Sequence, residues 1–304
     1  MGYKLAGYNH IGGVELDPSV AEIYRLNHHP QYLYNEDIRE FNNRTDLPPD
    51  LFNLDILDGS PPCSTFSKSG LREKGWGKKK HFAEGQKLQR LDDLVFVYCE
   101  TIAKLRPKVC ILENVAGLIQ GNSKVYAKEI ARRLHDIGYN VQVFLLNAST
   151  MGVPQRRERV FFIGLRNDYH LPKLVLDFDE TPITYGMIED DDCSNKVTPC
   201  DDKVFDLIPP GYNFDHYKPH WRFDSTKLRP DTVPATLTAG GRLYHYRLHK
   251  GISDREICLI GSFPLDYNFG SKNRQWFVGM SVPPVMMAQI SHQIHQQWLS
   301  KINT

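Results

Sequence analysis

Apolar and polar positions partly alternate through residues 51–57, which predicts a strand. Gly59, Ser60, Pro61 and Pro62 follow, and that turn can neither extend the strand nor start a helix before Pro62. Residues 12–17 read as a short strand ending in acids. Pro18–His28 reads as the helix after it, with Pro18 early in its first turn. A second short strand over 32–38 leads to Asp37. Leu88, Leu91, Leu94, Val95, Tyr98, Ile102 and Leu105 recur at helical spacing, so 86–105 is predicted as an amphipathic helix that Pro107 stops. A buried strand is predicted at 109–112, a helix at 126–137 closed by Gly138, and strands at 139–146 and 160–165. Residues 1–9 read as the tail of a helix and 284–302 as a final helix. Alternating strands and helices up to residue 165 predict a mostly parallel sheet covered on both faces. After 166 the periodicity gives way to prolines, acids and scattered aromatics, and order resumes at 229. The chain thus divides into 1–165, a small irregular region 166–228, and 229–304.

The 304 residues, 41% hydrophobic and 24% charged, suit a soluble globular protein with a sizeable core. No apolar run approaches the roughly 20 residues of a membrane span, and no secretory signal opens the chain. Six cysteines, at 63, 99, 110, 193, 200 and 258, contain no Cys-x-x-Cys pair. That usage predicts a reducing, cytoplasmic setting, with Cys99 and Cys110 as core thiols. Cys193 and Cys200 lack the second pair a zinc site needs, so no metal is expected.

Net charge is +1, but it is unevenly spread. Residues 68–90 carry a net +6 and include Trp76 and Phe82; residues 166–228 carry a net −6. A basic, aromatic-containing segment starting five residues after Cys63 is read as a contact for phosphates. Cys63 itself follows a rigid turn at a strand's carboxyl end, the edge where open α/β sheets do their chemistry. A buried structural thiol is the competing reading. Glu15, at another strand end, suits ribose hydroxyls, with an exposed surface acid as its alternative. Arg157 and Arg159 alternate along one predicted strand and so share a face; two solvent-facing arginines are the bland alternative.

Four stretches occur in order: Pro61-Pro62-Cys63, Glu113-Asn114-Val115, Gln155-Arg156-Arg157-Glu158-Arg159, and Gly279-Met280-Ser281-Val282-Pro283-Pro284. With Gly13-Val14-Glu15-Leu16-Asp17 and residues 229–238, the chain resembles the C5-cytosine DNA methyltransferase family from about Gly7 to Trp298. The resemblance implies a Rossmann-like, S-adenosylmethionine-dependent methyltransferase sheet with a small irregular target-recognition region at 166–228. It implies that a target cytosine is flipped from duplex DNA, that Cys63 adds at C6, and that methyl passes from S-adenosylmethionine to C5. Glu113 would hold N3 and the amino group of the base. Arg157 and Arg159 would reach O2 and order the cysteine loop. Glu15 would hold the cofactor ribose and Asp37 and Ile38 its adenine, with Leu16 also at the cofactor. Pro62, Leu94, Ser281 and Val282 would complete the cofactor pocket. Asn213, Lys218 and Arg222 are candidates for reading sequence. The implied partners are double-stranded DNA and, as the other half of a restriction–modification system, a cognate restriction endonuclease. A DNA-binding relative without turnover and a tRNA cytosine methyltransferase are the alternatives.

Two departures stand out. Met280 replaces the usual Asn of the last motif, and Ser64 replaces a usual Gln. The chain also starts just after the position of the family's Gly-x-Gly-Gly turn, which implies weak cofactor binding by these 304 residues alone.

Overall fold

The computed structural model describes residues 1–61, 94–190, 205–216 and 225–302. Cys63, Pro62, Ser64, the basic segment 68–90, the helix start at 86–93, Cys193, Cys200, Lys218 and Arg222 lie outside the described residues. In chain order the main elements are α1 (Gly2–Leu5), β1 (Gly12–Val14), α2 (Pro18–His28), β2 (Tyr32–Tyr34), α3 (Ile38–Asn43), β3 (Ile56–Gly59), α4 (Leu94–Leu105), β4 (Val109–Val115), α5 (Lys124–Asp136), β5 (Tyr139–Asn147) and β6 (Glu158–Arg166). Two short strands, β7 (Thr226–Lys227) and β8 (Leu243–Tyr244), follow. Helices α6 (Asp254–Ile260), α7 (Arg274–Met280) and α8 (Pro284–Ile294) close the chain, α8 running on through a π-turn to Ile302.

The main sheet has the order β3-β4-β6-β5, and β1 pairs with β2 beside it. β1 with β2 and β3 with β4 are parallel, but β6 runs antiparallel to both β4 and β5. The mostly parallel expectation therefore fails at this end of the sheet. The link from Asn147 to Glu158 holds only a 3₁₀ turn, Ala148–Thr150, too short for the crossover that parallel neighbours need. A hairpin is what such a link permits, and β6 slots between β4 and β5.

Both faces of the sheet are covered. Cys110 and Leu112 of β4 face α4 and α5, packing with Val95, Ile102, Ile130 and Leu134. Val109 and Ile111 face the other way with Phe161 and Ile163, against Met286, Ile290, Ile294 and Trp298 of the last helix. Cys99 and Cys110 are buried free thiols, and burial pushes Cys99 up to about 12, so neither is a nucleophile at neutral pH. Gly59 is fixed by crowding: a Cβ there would meet the Tyr98 ring at 2.6 Å. The Tyr98 hydroxyl lies 3.0 Å from the Leu57 carbonyl and 2.9 Å from that of Ile111, which pins the ring across the β3–β4 seam.

Residues 171–178 pair with no strand among the described residues, yet the backbone of Leu174 and Val175 is satisfied by side-chain amides. Gln142 exchanges two hydrogen bonds with Leu174, at 2.9 and 2.8 Å, and Gln297 does the same with Val175. Leu171, Leu174, Leu176 and Phe178 thereby pack on the sheet core. The Trp298 indole N–H donates to the Pro172 carbonyl at 2.8 Å. Trp298→Ala opens a cavity at a site 2% exposed and removes that donor. A loss of about 3–5 kcal/mol in urea unfolding is expected. A loss under about 1 kcal/mol would mean that the last helix is not part of the cooperative core.

A second core lies in the chain's last third. Leu228, Leu237, Leu243, Ile252, Ile257, Ile260, Phe263 and Val278 cluster with Tyr185 and with Ile23 of α2. A partly buried ion pair, Lys272 to Asp17 at 2.8 Å, joins the start of α2 to this region. Burial alone would raise the Asp17 carboxyl, but Lys272, the Ser19 hydroxyl and the Ser19 and Val20 amides hold it near 2. A depressed carboxyl stabilises the fold above its unfolded value of about 3.9, and that gain fades as pH falls through 2. Asp17→Asn is expected to cost on the order of 2 kcal/mol at pH 5 and above and little near pH 2. A cost that does not shrink on acidification would show that charge is not what Asp17 contributes.

Candidate active site

The site grows from the carboxyl ends of β3 and β4. Glu113 lies on β4 in step with Val109 and Ile111, so it shares their face at the strand's end. Arg159 shares that face from β6, where it sits opposite Val115. Its Nε lies 3.0 Å from Glu113 Oε1, with side chains 16% and 14% exposed. Burial raises the Glu113 carboxyl above its ordinary value, while Arg159 and Arg157 pull it part of the way back. The result is a carboxyl that holds a proton more readily than a free glutamate, yet is steered by a fixed guanidinium. Asn114, buried beside it, donates to the Pro61 carbonyl at 3.3 Å and accepts from the Val115 amide at 2.9 Å. That bond ties the turn before Cys63 to the strand carrying Glu113.

Arg157 is placed differently from Arg159. It precedes β6 and is fully buried. Its Nη1 donates to the Leu237 carbonyl at 3.0 Å and its Nη2 to that of Gly279 at 2.9 Å. Burial and the neighbouring Arg159 lower its pKa, though a guanidinium remains charged at neutral pH. Two of its nitrogens are thus committed to protein carbonyls, a use the sequence pattern did not indicate.

Glu15 and Asp37 end up on adjacent strand ends. Val14 pairs with Tyr34, and the Glu15 amide donates to the Tyr34 carbonyl at 3.0 Å. Glu15 Oε1 accepts from the Asp17 amide at 2.8 Å, which orients the carboxylate. Asp37 caps α3 by accepting from the Arg39 amide, and Ile38 packs against the first core. Leu16 follows Glu15 directly, and Leu94 opens the described part of α4. Val282 packs on the other face's core, and the Ser281 hydroxyl donates to the Phe277 carbonyl at 2.8 Å. Met280 is 61% exposed. Glu15 and Asp37 thus stand at two adjacent strand ends, each followed directly in the chain by an apolar residue, Leu16 and Ile38.

Sequence reasoning also passed over Asp58. It alternates with Ile56 on β3, which places it on the same face as Glu113. Asp58 is an exposed residue, although desolvation by the groups packed around its carboxyl raises it to about 6. An acid inside an otherwise apolar strand was the available signal. Among the described residues no group of three or more His, Cys, Asp or Glu could hold a metal ion, and no helix is long and apolar enough to cross a membrane.

The family profile for C-5 cytosine-specific DNA methylases matches residues 1–198. The chain belongs to that family. Among curated relatives, this methylase is 31% identical to the Type II methyltransferase M.NgoMIV of Neisseria gonorrhoeae, over 97% of this chain and 92% of that protein. It is 25% identical to M1.HphI of Haemophilus parahaemolyticus, over 97% of this chain and 82% of the relative. The match to M.DdeI of Desulfomicrobium norvegicum, 34% identical, takes in 58% of this chain and 40% of that relative. Solved structures agree on the fold. A prophage-encoded E. coli protein described as a DNA modification methyltransferase superposes with a TM-score of 0.73 at 18% identity, over 100% of this chain and 95% of that one. A Spodoptera frugiperda DNMT2 mutant gives 0.67 at 17% identity, over 96% and 95%. The Rossmann-like methyltransferase fold expected from the sequence is therefore the fold observed.

Proposed function

We propose that this methylase transfers methyl to C5 of a cytosine flipped out of duplex DNA, with Cys63 as nucleophile and Glu113 and Arg159 as its partners. The observation that carries this reading is the Glu113–Arg159 pair, a desolvated carboxyl aimed by a guanidinium 3.0 Å away at the end of β4. The Cys63 thiolate adds at C6, and Glu113 gives N3 a proton as the ring takes up negative charge. Arg159 holds Glu113 in place and offers its remaining N–H groups to O2. When bound, S-adenosylmethionine supplies the electrophilic methyl group. Once C5 carries that methyl its proton passes to water, the Cys63–C6 bond breaks with its electrons returning to sulfur, and N3 hands its proton back to Glu113 as the aromatic ring is restored.

Glu15 would hold the cofactor ribose, Asp37 and Ile38 the adenine, and Leu16 would also line the cofactor site. Pro62, Leu94, Ser281 and Val282 would line the rest of the pocket. Residues 68–90 would meet DNA phosphates, and 166–228 would read the target, with Asn213, Lys218 and Arg222 as the reading groups. In that assignment 1–165 and 229–304 form the catalytic body and 166–228 the recognition region. A restriction endonuclease is the proposed system partner.

The deciding experiment is product identification. Duplex DNA incubated with the protein and S-adenosylmethionine, then digested to nucleosides, should yield 5-methylcytosine. Methyl on the exocyclic amine, or transfer to tRNA and not to duplex DNA, would overturn the reading. Reversing charge at Lys78, Lys79 and Lys80 should in turn weaken DNA binding at every sequence and flatten its salt dependence, by about 0.9 in log–log slope for each phosphate no longer neutralised. An unchanged slope would remove this segment from the interface.

A further inference from the structure

Leu237 has both of its backbone groups held by side chains. Its N–H donates to Gln155 Oε1 at 3.1 Å, and its carbonyl accepts from Arg157 Nη1 at 3.0 Å. Gln155 is 1% exposed, and its Nε2 donates to the Ile260 carbonyl at 3.0 Å, at the end of α6. The backbone joins in, since the Arg156 amide donates to the Pro234 carbonyl at 2.9 Å and the Thr236 hydroxyl to the Arg156 carbonyl at 2.5 Å. Residues 234–237 therefore run along 155–157 almost as a strand would, with two side chains replacing rungs of the ladder. Arg157 then reaches past this segment to the Gly279 carbonyl. Gly279 presses so closely on it that a Cβ would lie 2.4 Å from the Thr238 carbonyl carbon.

Segment 234–239 leads back from the region assigned to target reading. Gly279 precedes Ser281 and Val282, assigned to the cofactor. Arg159, two residues beyond Arg157, pairs with Glu113. One buried guanidinium therefore stands where three working parts meet, and Arg157 Nε alone has no acceptor among the described residues.

We propose that Arg157, seated by Gln155, is a positioning residue that sets the segment returning from the recognition region and the cofactor segment against the Glu113–Arg159 pair. The assignment of those segments rests on the function proposed above; the clamp itself does not. The alternative is that Nε reaches the base and Arg157 takes part in the chemistry directly.

The test compares wild type with Arg157→Lys and Arg157→Met. A lysine can serve one carbonyl at a time, and methionine can serve neither. Hydrogen exchange, which needs no activity, should show the amides of 235–239 and 279–282 exchanging at least tenfold faster in Arg157→Met, with partial restoration in Arg157→Lys. Unchanged exchange in either segment overturns the clamp. In steady-state kinetics, KM for both S-adenosylmethionine and DNA should rise about tenfold in Arg157→Lys while kcat stays within about threefold. A fall in kcat of a hundredfold with both KM values unchanged would assign Arg157 to the chemistry and overturn the proposal. Gly279→Ala pushes the same two segments apart and draws the Gly279 carbonyl from Nη2 while leaving the Arg157 side chain itself unchanged, so it should reproduce both KM increases; a change in one KM alone would also overturn it. An inactive wild type with the expected exchange pattern would sink the proposed function and leave the clamp standing.

Discussion

Cys63→Ala is expected to abolish a covalent adduct that the wild-type protein forms with duplex DNA carrying 5-fluorocytosine at its target site. Addition at C6 and methylation at C5 proceed with fluorine in place of hydrogen. Release requires C5 to lose its substituent as a cation, and fluorine does not leave that way. The Cys63–C6 bond then persists and survives a denaturing gel. The structure supplies the frame for that thiol. Gly59 is pinned under Tyr98 at the end of β3, and Pro61, two residues before Cys63, is held by Asn114 of β4. Cys99, Cys110 and Cys258 are buried, and burial raises all three thiols, so none is a substitute nucleophile. An adduct that persists in Cys63→Ala would end the covalent mechanism. Its loss together with loss of DNA binding would mean that the substitution had disturbed the loop and not the chemistry; binding measured in parallel separates the two.

Much of this arrangement was legible in the chain because it depends on local pattern. Helices α2 and α5 follow from apolar spacing and from punctuation by Pro18 and Gly138, and β4 from its unbroken apolar run. Glu113, Arg159 and Glu15 were legible because each stands at a strand end, where backbone direction decides what a side chain can reach. What stayed hidden depends on distant segments. The antiparallel hairpin of β5 and β6 turns on the absence of a helix between 147 and 158, a weaker signal than a helix's presence. Arg157 and Arg159 look equivalent two residues apart, and only Leu237 and Gly279, each more than seventy residues away, send one into the interior. Gln142 and Gln297 are unremarkable polar residues in sequence, yet they replace a strand's hydrogen bonds for 174 and 175.

Glu113→Gln is expected to lower turnover by about 10²–10⁴-fold while DNA binding changes little. Glutamine keeps the shape and most of the hydrogen bonding: its N–H₂ can donate to N3 and its carbonyl can accept from the cytosine amino group. It cannot deliver a proton, so charge built up by addition at C6 has no sink at N3. Ground-state contacts survive and the reacting state loses its acid, which is the signature of a kcat effect with KM nearly constant. The pair geometry adds a second expectation. With Arg159 16% exposed, removing its counter-charge leaves a partly buried guanidinium without a carboxylate, and some loss of thermal stability should follow. Arg159→Lys, which keeps the charge and shortens the reach, separates this from catalysis by sparing stability more than turnover. The pH profile gives an independent check. Burial raises the Glu113 carboxyl, so its protonated form persists to higher pH than in a free glutamate. Wild-type turnover should fall as pH rises through that raised value, and the same limb should be missing from the residual activity of Glu113→Gln. A variant that loses binding and turnover equally, or that keeps the limb, would make Glu113 a structural group and leave the proton to another donor.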